Sequence, residues 1–119
     1  MALVENEKSK AMQESKTKEE QDEVYYRVFP DMRRRINYED KKIFIEVSLP
    51  GVKKENITLK VLPTWFHLIG RRGHMEYSAN QAFGAEVVPE KTKAKYDNGL
   101  LEITAYIRDP MDDAKEISL

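Results

Sequence analysis

A chain of 119 residues with 40% hydrophobic and 34% charged side chains has apolar material for one modest core beneath a well-solvated surface. Its formal net charge of -1 sets up no global field toward nucleic acid or membrane, and the lack of cysteine excludes a disulfide framework and thiol chemistry. No apolar run approaches the roughly 20 residues of a membrane span and the first residues lack the apolar core of a secretory leader, so the expectation is a cytoplasmic protein with no membrane partner.

In chain order, residues 1–23 are nearly all polar and mixed in charge. Their few apolar residues (Leu3, Val4, Met12) make no sustained helical stripe, which predicts a polar N-terminal arm, frayed or disordered. "VYYRVF", Val24 to Phe29, is an aromatic cluster. "MRRRINYED", Met32 to Asp40, reads as an edge strand with a basic outer face. In "KKIFIEVSL", Ile43, Ile45, Val47 and Leu49 point to one face, and Phe44, Glu46 and Ser48 to the other. Leu49-Pro50-Gly51 stops that strand. "NITLKVL" resumes the alternation with Ile57, Leu59 and Val61 inward, until Pro63. "WFHLI" is a third run, closed by Gly70, and His74 to Phe83 holds one more strand. In "LLEITAYI", Leu101, Ile103, Ala105 and Ile107 share a face. Before it, Asp97-Asn98-Gly99 has the chemistry of a tight hairpin turn, which needs positive φ. Short strands parted by turn residues, with no strong helical pattern between them, predict an all-β antiparallel sandwich.

Two of these stretches are similar to a known family. "VSLPGVKKENITLKV", Val47 to Val61, resembles the strand–turn–strand signature of the α-crystallin domain of small heat shock proteins. "AKYDNGLLEI" resembles its second signature, with Ala94, Asn98, Gly99, Leu100 and Leu101 in the characteristic places. The resemblance covers about Arg33 to Ile107 and implies a seven- or eight-strand sandwich of immunoglobulin-like architecture spanning residues 24–108, with a C-terminal tail over 109–119. It implies an ATP-independent chaperone that holds partly unfolded client proteins and forms homo-oligomers, dimers or larger. It further implies a groove between the strand of Ile57, Leu59 and Val61 and the strand of Ala94 and Tyr96, filled by a neighbour's Ile117-Ser118-Leu119. Leu49, Pro50, Gly51, Asn98, Gly99 and Leu101 would then be structural. In that tail the i, i+2 spacing puts Ile117 and Leu119 on one side of an extended strand. Burying both would give about 3–6 kcal/mol, against about 1–2 kcal/mol for each residue ordered, so docking is expected to be weak and reversible.

The chain departs from the family pattern in three places. The link from Arg72 to Phe83 is short for an exchanged dimerisation arm. Phe83-Gly84 stands where Leu-Pro is expected, with no arginine nearby in sequence. The N-terminal arm is polar, leaving Val24 to Phe29 as the nearest substitute for an apolar client-binding arm. A shortened sandwich of this kind is also similar to the adaptor domains of chaperone partners, so a non-chaperone adaptor for one protein is the alternative.

Enzymatic chemistry is not expected. Gly70 and Gly73 flank an arginine pair without the spacing of a phosphate loop, which leaves no nucleotide site. His67 and His74 have no carboxylate placed between them, so no metal or other cofactor is expected. Glu39-Asp40 and Asp112-Asp113 read as turn and tail charges rather than an acid–base pair, and no serine sits in a nucleophile elbow. Arg33, Arg34 and Arg35 beside Tyr25, Tyr26 and Phe29 could stack bases, but the adjoining acidic arm and the lack of a recognised motif favour an aggregation-blocking edge over nucleic-acid binding. Trp65, alternating with His67 and Ile69, is expected in the core or at its rim, or as a contact residue in the groove.

Overall fold

Strict alternation at Ile43, Ile45 and Val47 builds β3 (Lys42–Ser48), in which every second side chain is buried. A computed structural model describes residues 23–119 of the chain, so the expected arm over residues 1–23 lies, apart from Glu23, outside the described residues. The other strands are β1 (Tyr26–Val28), β2 (Met32–Asn37), β4 (Ile57–Val61), β5 (Trp65–Arg72), β6 (Met75–Ala82), β7 (Lys93–Asp97) and β8 (Leu100–Tyr106). They form two four-stranded sheets, ordered β1-β6-β5-β4 and β2-β3-β8-β7. All pairings are antiparallel except β1 with β6, which is parallel.

The two inner faces enclose one core. Ile43, Ile45, Val47, Leu101, Ile103 and Ala105 come from one sheet, and Phe66, Leu68, Tyr77 and Ala79 from the other. Leu49, Val52, Phe83 and Val87 close it from the connections. Phe83 rests on Phe66 with ring centroids 5.2 Å apart.

Two expectations need correction. Gly70 does not end the third run, because β5 continues to Arg72. Gly70 is buried within the strand, where a Cβ would meet Val52 at 3.4 Å and Leu49 at 3.6 Å, so it makes room for the Leu49–Val52 turn rather than a reversal. The reversal falls at Gly73, with φ of +59°. Trp65 is not in the core. Phe66 and Leu68 take the inward phase, which puts Trp65, His67 and Ile69 on the outer face. Near-continuous hydrophobicity over "WFHLI" leaves that phase open in the sequence.

The short link after Arg72 is used up within the chain. It makes one turn and β6, which pairs with β5 on one side and with β1 on the other.

Candidate protein-binding groove

The outermost strands at one rim of the sandwich are β4 and β7, which belong to different sheets. Both are edge strands. On β4, Ile57, Leu59 and Val61 turn inward, opposite Gly70, Leu68 and Phe66 of β5, but remain half-exposed because no strand lies beyond them. On β7, Ala94 and Tyr96 face inward opposite Ile103 and Leu101. Between the two strands runs an open cavity of about 190 Å³, lined by Lys54, Ile57, Leu59, Ala94, Tyr96 and Leu101. The structure therefore gathers four of the five residues expected to form a groove, with Val61 on the same face of β4 beyond the cavity lining. It adds Lys54 at the mouth and Leu101 at the floor. Leu101 belongs to the alternation of β8, which gives no hint that its position also underlies the gap.

The far wall is held by a clamp between the two stretches that carry the family resemblance. Leu49 N donates to Gly99 O at 2.7 Å, so the Leu-Pro-Gly turn and the Asn-Gly turn touch. Asn98 and Gly99 have φ of +50° and +80°, as a two-residue hairpin turn requires. The Tyr96 hydroxyl lies 2.6 Å from Val52 O and 2.9 Å from Leu49 O and donates its one proton there. Burial pushes its pKa up, with a smaller contribution from Tyr77, so it stays a donor at any physiological pH. Tyr96 thus offers a ring to the groove while its hydroxyl pins the wall.

Ile117 and Leu119 are fully in solvent, with relative exposures of 73% and 120%, and make no contact with the groove of their own chain. The tail begins at an ion pair between Lys41 Nζ and Asp109 Oδ2 of 2.8 Å. Asp109 also caps a 3₁₀ turn over Pro110–Asp113 through Met111 N.

The opposite rim is formed by β1 and β2. Tyr25, Tyr26, Val28 and Phe29 are exposed there at 61%, 66%, 38% and 57%. Arg33, Arg34, Arg35, Phe44 and Glu46 border a second open cavity of about 400 Å³. Two long-range pairings here have no local signal in the sequence. Arg34 Nη1 donates to Phe83 O at 3.0 Å and packs over Gly84, whose φ is +90°, so an arginine from β2 reaches the Phe83-Gly84 position after all. Glu76, 5% exposed, lies between Arg27 and Arg71 on neighbouring strands, at 3.2 and 3.1 Å.

His67 faces Asn80 across the β5–β6 pair, and His74 bonds Glu23 O at 2.8 Å and stacks on Tyr25. No three of His, Cys, Asp and Glu converge on a metal-sized site among the described residues. No helix of the described residues is long and apolar enough to cross a membrane.

No family model and no curated protein matches the chain by sequence. Solved structures do match. Heat shock protein 16.0 from Schizosaccharomyces pombe is similar at TM-score 0.63 and 19% identity, over 78% of this chain and 76% of its own. A point mutant of hsp14.1 from Sulfolobus solfatataricus P2 is similar at TM-score 0.60 and 13% identity, over 97% and 99%. A small heat-shock protein from Xylella fastidiosa is similar at TM-score 0.57 and 14% identity, over 76% and 94%. The two-sheet architecture, the two signature stretches clamped together and these matches converge on one conclusion: the chain has the α-crystallin β-sandwich fold of the small heat shock proteins.

Proposed function

We propose that the protein is a divergent small heat shock protein that holds partly unfolded polypeptides without nucleotide, in the cytoplasm, and assembles with copies of itself. The observation carrying this reading is the open furrow between β4 and β7, lined by Ile57, Leu59, Ala94, Tyr96 and Leu101 and free of any described segment of its own chain. Apolar surface left open at a sheet edge lowers its free energy by taking up an extended apolar segment. Ile117 and Leu119 present such a segment, so tail and client compete for one site. The solved proteins of the same fold named above are heat shock proteins, and the one from Xylella fastidiosa has a distinct high order structure.

The test mixes the protein with a heat-labile client at equal stoichiometry and follows light scattering. Suppression is expected, and stronger suppression after Ile117→Ala with Leu119→Ala, since the tail no longer occupies the groove. Unchanged client aggregation with both forms would refute the holding role. The alternative, an adaptor for one protein partner, draws support from the in-chain sealing of β6 by β1, which removes the link as an exchanged arm. A sharp monomer with no suppression would favour it.

A further inference from the structure

The furrow between β4 and β7 is apolar inside and basic along both banks. Lys53, Lys54 and Lys60 stand on the β4 side against Glu55, and Lys91, Lys93 and Lys95 on the β7 side against Glu90 and Asp97. All six lysines are exposed. Among the described residues only Lys95 of the six forms an ion pair, with Glu102 at 3.7 Å. The surplus is local, since the whole chain has a formal net charge of -1.

Lys54 is the one charged side chain among the described residues that borders the cavity itself. It lies just before β4, at the end where Ile57 pairs with Gly70. Val52 sits over Gly70, and its carbonyl takes the Tyr96 hydroxyl bond, which puts Tyr96 at the same end. Leu59 and Ala94 follow further along the two banks. An extended segment advances about 6.8 Å in two residues. Apolar side chains at i and i+2 therefore meet Ile57 with Tyr96, then Leu59 with Ala94. When the segment runs in the direction of β4, the residue before the first of them lies beside Lys54.

The chain's own tail has this order. Glu116 stands immediately before Ile117, is exposed, and forms no ion pair among the described residues. Asp112 and Asp113 precede it, the latter bound to Arg108, and Lys115 is the one base of the stretch 109–119. We infer that the groove selects its occupant by charge. It takes an extended segment with apolar side chains at i and i+2 and a carboxylate just before the first, and it disfavours the same segment flanked by basic residues. Lys54 is the positioning residue: it pairs with that carboxylate and so sets the direction in which the segment lies. Burial of the apolar pair attracts many sequences, and the lysine banks choose among them. The inference rests on the groove reading proposed above.

The experiment uses the full chain carrying Ile117→Ala and Leu119→Ala, so that its own tail does not compete. The probes are peptides of residues 110–119, with a fluorophore at one end and an amide at the other, read by anisotropy. In about 0.01 M salt the parent peptide should bind at least about tenfold tighter than one carrying Asp112→Lys, Asp113→Lys and Glu116→Lys. The gap should close near 1 M salt, as the screening length falls from about 30 Å to about 3 Å. Lys54→Glu in the protein should weaken the parent peptide and strengthen the lysine-bearing one, which a misfolded groove would not do. Lys54→Met in the protein and Glu116→Gln in the peptide should each weaken binding, and together no more than either alone. Equal affinity for both peptides, or additive losses from the Lys54 and Glu116 changes, would overturn the selection and leave the groove standing as a site. No binding of either peptide at any salt would remove the groove itself, and the selection with it.

Discussion

Replacing Gly99 with valine tests the clamp that holds β7 against the Leu49-Pro50-Gly51 turn. At φ of +80°, a side chain costs about 1–2 kcal/mol from local sterics, and a β-branched one falls at the upper end. The new Cβ would also stand 3.4 Å from Pro50 Cα and 3.8 Å from Leu49 O, and its methyls would press further into that backbone. Prying the turns apart weakens the 2.7 Å bond from Leu49 N to Gly99 O, worth about 1 kcal/mol. The sum is about 2–4 kcal/mol, or a fall in Tm of roughly 10–25 °C for a domain of this size. Gly73→Val supplies the control, since Gly73 has φ of +59° but nothing within 4 Å of its Cβ position. It should show the conformational cost alone. Thermal unfolding followed by circular dichroism reads both. Equal losses at Gly99 and Gly73, or a loss below about 0.5 kcal/mol at Gly99, would refute the clamp.

Tyr96→Phe keeps the ring in the groove and removes the hydroxyl, leaving the Val52 and Leu49 carbonyls without it. Stability should drop by about 1–2 kcal/mol in urea unfolding while groove binding is retained. Glu76→Ala leaves Arg27 and Arg71 without their shared carboxylate and should cost about 1–3 kcal/mol, with amide exchange rising first at Arg27 and Val28 of β1. The Lys41–Asp109 pair gives a pH signature. The Lys41 ammonium, chiefly through its hydrogen bond, holds the Asp109 carboxyl below its usual range, and Asp109 in turn raises Lys41. A lowered carboxyl stabilises above its unfolded pKa and loses that contribution as pH falls through the folded one. A raised lysine stabilises below its unfolded pKa and loses it as pH rises through the folded one. The start of the tail should therefore stay tethered through neutrality and come loose at both extremes. Carbon-detected NMR titration should place Asp109 below ordinary aspartates, and Lys41→Met should move it back up; no movement would refute the pairing.

Where burial imposes period two on one face only, the strand and its orientation can be read directly, as at Ile43, Ile45, Val47 and at Leu101, Ile103, Ala105. The Asn98-Gly99 turn is equally legible, because few residues tolerate its φ values. The phase of β5 is not, since Trp65, Phe66, Leu68 and Ile69 satisfy either face and only packing against Phe83 selects one. Gly70 reads as a stop because glycine marks both turns and close approaches, and which applies depends on what passes over it, here Val52 and Leu49. For the groove, the residues of β4 and β7 can be named from the family resemblance, but Lys54 and Leu101 enter through the meeting of two sheets. The Arg34–Phe83 and Glu76–Arg27 contacts span 49 residues each, and no local pattern encodes them.

The two banks of the furrow belong to separate sheets, and in β-structure it is the ladder of amide bonds that fixes spacing. No ladder joins β4 to β7. Their separation rests on side-chain packing of Leu68, Leu101 and their neighbours and on the few hydrogen bonds from Tyr96 and Gly99 to the Leu49–Val52 turn, a joint expected to loosen on warming before either ladder does. The gap should accordingly gape a little more with each degree, well before the sandwich melts. A binding site built this way carries its own thermometer, and its affinity for long apolar strands should climb over the same interval in which other proteins begin to shed theirs.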